Sequence, residues 1–182
     1  MSLKYDEYLN LDTLLSLQKP HTDETTELMF IVAHQSSELW FKVLIHELNN
    51  DVVNLKRIIR IFNHLNALWD IIATMSYEDY AKFRSTLGTA SGKQSEQYME
   101  MERLLKELRR KLTWKWSDQC IVEEELLDVE NAFKKWQFSH MKAVERIIGN
   151  RPGTGGTSGV DYLKRAVDKP LYVDTKYEWK GW

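Results

Sequence analysis

The sequence predicts an all-α fold, and three observations carry that reading. No glycine or proline interrupts residues 23–62, a run far longer than any strand. Further on, Val129, Phe133, Trp136, His140, Val144 and Ile147 recur at steps of three and four, which places them on one helix face. No pair of alternating segments joined by a tight turn reads as a β-hairpin, and no internal repeat or low-complexity segment occurs.

Size and charge narrow the class. The 182 residues fit a single domain, 1–182, with a sizeable core. A hydrophobic content of 43% and a mean hydropathy of −0.48 describe a soluble globular protein. The net charge of −2 gives no general reason to bind nucleic acid or an anionic membrane. One cysteine, Cys120, excludes an internal disulfide framework and suits a reducing compartment. No apolar run approaches the roughly 20 residues of a membrane span, and the N-terminus lacks a signal-peptide core. A cytoplasmic protein is expected.

The elements follow in order. Residues 1–22 space Tyr5, Tyr8, Leu9, Leu11, Leu14, Leu15 and Leu17 for one short amphipathic helix ending near Pro20. Its periodicity puts Tyr5 and Tyr8 on one face, where they cap either a core or an interface. A long helix is predicted from Thr22 or Asp23 to about Phe62, with Asp23, Glu24 and Glu27 near its positive end. It carries two apolar stripes on nearly opposite sides. Leu28, Val32, Leu39 and Val43 form one; Phe30, His34, Phe41 and Ile45, beside Glu38, form the other. Two apolar sides predict a helix buried between layers, with His34 facing either packing or a ligand.

Residues 63–75 predict another helix, and Ser76 to Asp79 a capping box that opens a short helix through Arg84. Arg84 then stands before a small-residue loop, 87–95, as either a carboxylate or phosphate clamp or an exposed helix-terminal arginine. Residues 96–112 form a charged amphipathic helix with a Met/Leu stripe. A connection, 113–119, leads through Ser117 or Asp118 as cap into a helix from about Ile121 to Ile148, which Gly149 ends. The glycine-rich turn GTGGTSG, 153–159, allows backbone to approach a ligand closely. A short helix capped by Thr157 or Ser158 follows, and residues 168–182 form an irregular tail.

Simple motif chemistry is mostly excluded. There is no phosphate-binding P-loop, no paired CxxC and no HExxH, and GTGGTSG does not follow a strand as a dinucleotide loop would. The five histidines lack the short spacing of a zinc site. His34 and His140 nevertheless lie on apolar helix faces. Each is either a satisfied core group or a ligand to a metal or heme.

Four segments, YDEYLNLDTLL, FIVAHQSSELWFKVLIHEL, FRSTLGTASGKQS and HMKAVERIIGNRPGTGGTSGVDYL, closely resemble the signature segments of the tryptophan 2,3-dioxygenase family, in the family's order. The resemblance implies an all-helical fold that binds heme b, usually as a homotetramer, and opens the indole ring of L-tryptophan with O2 to give N-formylkynurenine. It implies that His140 is the proximal heme ligand and that His34 meets the indole N–H. Arg84 is implied to bind the substrate carboxylate, and Thr154 the ammonium and carboxylate. Phe30 and Tyr80 are implied to line the indole pocket, Tyr80 adding a hydroxyl to it, and Ser91 to sit in the loop over the heme. Tyr5 and Tyr8 are implied to reach the pocket of a neighbouring subunit in a tetramer or dimer.

This chain departs from the family pattern in three places. The stretch between the SGKQS loop and His140 is compressed, Lys93 brings a charge to the pocket loop, and LYVDTKYEWKGW replaces the family's aromatic C-terminal region. These departures bear on substrate identity and on how many oxygen atoms are inserted. The alternative is a heme-dependent monooxygenase acting on a substituted indole or another aromatic amino acid; a non-catalytic heme- or indole-binding protein is a third reading.

Overall fold

The computed structural model describes residues 3–113 and 119–172, and among them every regular element is helical. Two short helices, α1 (Tyr5–Leu9) and α2 (Leu11–Leu15), precede a long one, α3 (Thr25–Asn49). Then come α4 (Leu55–Ile72), α5 (Tyr77–Arg84) and α6 (Glu96–Thr113), with 3₁₀ turns at Ser85–Leu87 and Gly92–Gln94 between the last two. The chain closes with α7 (Gln119–Ile148) and α8 (Val160–Asp168). α4 packs along α7, α3 lies against both α4 and α6, and α8 rests on α7.

Apolar periodicity explains the packing. Ile58, Phe62, Leu65, Trp69 and Ile72 of α4 are buried against Val129, Phe133 and Trp136 of α7. The Phe62 and Phe133 rings lie 5.4 Å apart, and Phe41 of α3 meets Trp136 edge-on at 5.7 Å. Each fully buried side chain of this size contributes about 1.5–3 kcal/mol by leaving water. The expected Met/Leu stripe of α6 is the buried set Met101, Leu105, Leu108 and Leu112. The capping box at Ser76 forms as expected: its hydroxyl accepts from the Asp79 N–H while the Asp79 carboxylate accepts from the Ser76 N–H.

The predicted helix from 22 to 62 is instead two helices. α3 stops at Asn49, and Asn54 caps α4 by accepting from the Arg57 N–H at 3.0 Å. Asn50, Asp51 and Asn54 compete with helix bonds through their own short polar side chains. Two partners fix the break, one distant in sequence and one just across it. Lys111 of α6 donates to the terminal carbonyls of Leu48 and Asn50, both at 2.7 Å, and Arg57 pairs with the buried Glu47 at 2.5 Å.

The start of α3 also differs. Its first helical residue is Thr25, because Glu27 turns back and accepts from the His21 and Thr22 N–H groups and the Thr22 hydroxyl. The Thr22 hydrogen bond, first among these causes, holds the Glu27 carboxyl below its ordinary value. The single N-terminal helix is likewise two, split at Asn10, whose φ of 50° is a left-handed conformation that asparagine tolerates.

The two-sided burial of α3 is only half observed. Phe41 is buried, whereas Leu28, Val32, Leu39 and Val43 are 45%, 44%, 51% and 37% exposed, so this stripe points outward. At α8 the cap is Gly159, with φ 60°, not Thr157 or Ser158; the Ser158 hydroxyl instead accepts from Arg165. Ser117 and Asp118, and the tail from 173 to 182, lie outside the described residues.

Candidate functional site

A cleft opens where α3, α4, α7 and α8 meet the loops 87–95 and 153–159. Its larger lobe has a volume of about 460 Å³, within the roughly 300–1,000 Å³ of ligand and cofactor pockets. A smaller lobe of about 130 Å³ runs toward Tyr98, Trp136 and Gln137, and the two share His34, Glu38, Trp69, Lys93 and His140. Both predicted histidines therefore line one cleft.

His140 comes from the buried stripe of α7, one turn after Trp136. Burial pushes its imidazole down to about 4, with the nearby His34 adding to the effect, so the ring is neutral near pH 7 and holds an unprotonated nitrogen. Trp69 lies flat on it, ring centroids 4.3 Å apart and planes 16° from parallel, and meets His34 edge-on at 6.2 Å. The Trp69 indole N–H is buried without a protein partner. This residue was not singled out by the sequence. Only the packing of α4 on α7 brings it to the histidine.

His34 is held at one nitrogen. Its Nδ1 is 2.7 Å from the Phe30 carbonyl, an acceptor only, so in the neutral ring Nδ1 carries the proton and Nε2 is free to accept. Burial also lowers its pKa, keeping that tautomer at neutral pH. Phe30 packs on His34 at 4.1 Å and on Tyr80 at 6.2 Å. Tyr80 itself is buried in the cleft wall; burial pushes its phenol up, opposed by a hydrogen bond with Arg84.

The two loops are tied together. The Thr154 hydroxyl donates to the Ala90 carbonyl at 2.5 Å, and Arg84 donates to the Pro152 carbonyl at 2.7 Å. Ser91 caps the turn Gly92–Gln94 and faces Gly155 so closely that a Cβ there would stand 2.6 Å from the Ser91 Cβ. Only glycine fits this approach. Thr154 and Ser91 line the histidine cleft. Arg84 does not; it lines a neighbouring hollow with Tyr77, Gly88 and Thr154.

Tyr5 and Tyr8 stand apart from the site, 75% and 74% exposed on α1, and line neither lobe. Among the described residues no group of three or more His, Cys, Asp or Glu is placed to hold a bare metal ion. No described helix is long and apolar enough to cross a membrane.

Known proteins match along nearly the whole chain. The family model for tryptophan 2,3-dioxygenase matches residues 1–119 and 111–176. The chain is 33% identical to a tryptophan 2,3-dioxygenase of Bacillus thuringiensis (strain Al Hakam) over 252 positions, covering 95% of this chain and 90% of that protein. Enzymes of the same name from Ruegeria pomeroyi (strain ATCC 700808 / DSM 15171 / DSS-3) and Pseudomonas fluorescens are 30% identical, covering 94% and 95% of this chain and 90% and 89% of theirs. Since 252 positions exceed the 182 residues here, at least 70 positions of the Bacillus alignment have no residue in this chain. The two family-model segments meet at 111–119, the connection between α6 and α7, which agrees with the compression read from the sequence. With both segments matched and the histidines sharing one cleft, this chain belongs to the tryptophan 2,3-dioxygenase family of oxidoreductases.

Proposed function

We propose that this chain binds heme b in the histidine cleft, where His140 would hold the iron, and uses O2 to open the indole ring of L-tryptophan or a close derivative to N-formylkynurenine. The observation that carries this reading is His140 itself: neutral, and lining the same cleft as a second neutral histidine. The iron of a heme brings its porphyrin nitrogens with it and asks of the protein little more than one imidazole such as His140. The apolar walls, Phe30, Trp69, Ile72, Val144 and Ile147 among them, suit a porphyrin or an indole.

The heme supplies O2 activation and oxygen transfer when bound. The protein's part is to bind and orient. His34 Nε2 is the acceptor for an indole N–H, which makes His34 an orienting partner for the substrate. Phe30 and Tyr80 give the ring an apolar wall. Arg84 and Thr154 serve the amino-acid end; Arg84 is bonded to Pro152, two residues before Thr154, and Thr154 is bonded across to Ala90. Ser91 holds the loop that closes the cleft. Tyr5 and Tyr8, exposed and apart from their own site, are free to reach a neighbouring subunit in a cytoplasmic homo-oligomer, a dimer or tetramer.

The test is product mass. Protein loaded with hemin, reduced without air and given L-tryptophan and O2 is expected to yield a product two oxygen atoms heavier than tryptophan. A gain of one oxygen would replace the reading with the monooxygenase alternative. Heme loading without turnover of tryptophan or substituted indoles would leave only a binding protein.

A further inference from the structure

Lys93 stands in the wall of the cleft with no role assigned above. It lies in the turn Gly92–Gln94, is exposed, and its ammonium sits 5.7 Å from the centre of the Tyr162 ring on α8. Among the described residues lining the two lobes, Lys93 is the one lysine or arginine and Glu38 the one carboxylate. Glu38 is already taken, accepting from Gln97 at 2.9 Å on another helix. No carboxylate among the described residues pairs with Lys93.

A ligand that carries carboxylates into an apolar cleft must leave them in water or bring them to a cation. We infer that Lys93 is the cation that meets a carboxylate of the group bound in this cleft, and that this carboxylate is a porphyrin propionate, an assignment that rests on the heme reading above. The position favours the porphyrin over the amino acid. Of the two lobes Thr154 lines only the larger, and it also lines the neighbouring hollow that holds Arg84, whereas Lys93 borders both lobes, alongside His140 and Tyr162. Lys93 is both exposed and part of the cleft wall, so its ammonium can meet a carboxylate that a ligand in the cleft leaves in water.

The experiment is a hemin titration followed in the Soret band, with wild type, Lys93→Ala and Lys93→Glu, each against hemin and its propionate dimethyl ester. Because Lys93 is exposed, all three proteins are expected to fold alike. Lys93→Ala should bind hemin about two- to fivefold more weakly at low salt, the worth of one exposed ion pair, and Lys93→Glu more weakly still. Both differences should shrink at high salt and vanish with the ester. Equal hemin binding by all three proteins would overturn the inference and leave the heme reading standing. So would a variant that weakens L-tryptophan but not tryptamine binding with hemin affinity unchanged, which would assign Lys93 to the substrate carboxylate. Failure of the wild-type chain to bind hemin would overturn both.

Discussion

Trp69 and His140 lie stacked, 4.3 Å between ring centroids and 16° between planes, so a residue of α4 sets how an imidazole of α7 faces the cleft. Trp69 is also core, packed near Trp136 and 8% exposed. Trp69→Ala is expected to cost about 3 kcal/mol or more, while Trp69→Phe, which keeps an aromatic face on the imidazole, should cost less than half of that. Urea unfolding of the two variants checks this. Equal losses would show that an aromatic face kept on the imidazole contributes nothing there.

The two histidines make stability depend on pH. Both are held below the ordinary histidine value by burial, His140 at about 4. As pH falls, the unfolded chain takes up these protons first, so their contribution is complete above about pH 6.5 and lost from there to about pH 4. For His140 alone the loss amounts to about 3 kcal/mol. The unfolding midpoint of the protein without heme should drop across this window, and His140→Gln should flatten the drop. A midpoint that stays constant from pH 7 to 4.5 would contradict the neutral assignment.

Gly155 and Ser91 form a contact that leaves no room for a methyl group. Gly155→Ala is expected to cost about 1–3 kcal/mol by forcing the two loops apart. Replacing Ser91 by glycine in the same chain should recover most of that loss, because it removes the colliding Cβ. A double-mutant cycle with no coupling would show that the Ser91 side chain is not what a methyl group at Gly155 meets.

Arg84 gives a kinetic prediction. If it clamps the substrate carboxylate, Arg84→Ala in the heme-loaded enzyme should raise KM about tenfold or more, the worth of a charge-assisted hydrogen bond. Arg84→Lys should recover only part, since a single ammonium cannot make the paired contact. A KM left unchanged by Arg84→Ala would remove Arg84 from the site.

Much of this was legible in the sequence because it was local. The stripe of α7, the Gly149 stop at φ 57°, the Ser76 capping box and the His34 face all follow from spacing and turn chemistry. What escaped depended on partners in other elements. The end of α3 at Asn49 is fixed by Lys111 and Arg57, and the outward stripe of α3 reads as core on periodicity alone. Periodicity marks a face as apolar without saying whether another helix covers it. Within the candidate site, the histidines and Thr154 could be picked out, but Trp69 could not, since its role exists only once α4 packs on α7. Arg84 shows the converse: its helix-end position was legible, yet the structure turns it toward Pro152 and a neighbouring hollow.

The central claim is that His140 is the ligand of a heme held in this cleft. Hemin titration of wild type, His140→Ala and His34→Ala, read in the Soret band, tests it most directly. Wild type and His34→Ala should each take up one equivalent with the spectrum of a histidine-ligated heme, and His140→Ala should lose that spectrum. Retention of the wild-type spectrum and affinity by His140→Ala would contradict the account.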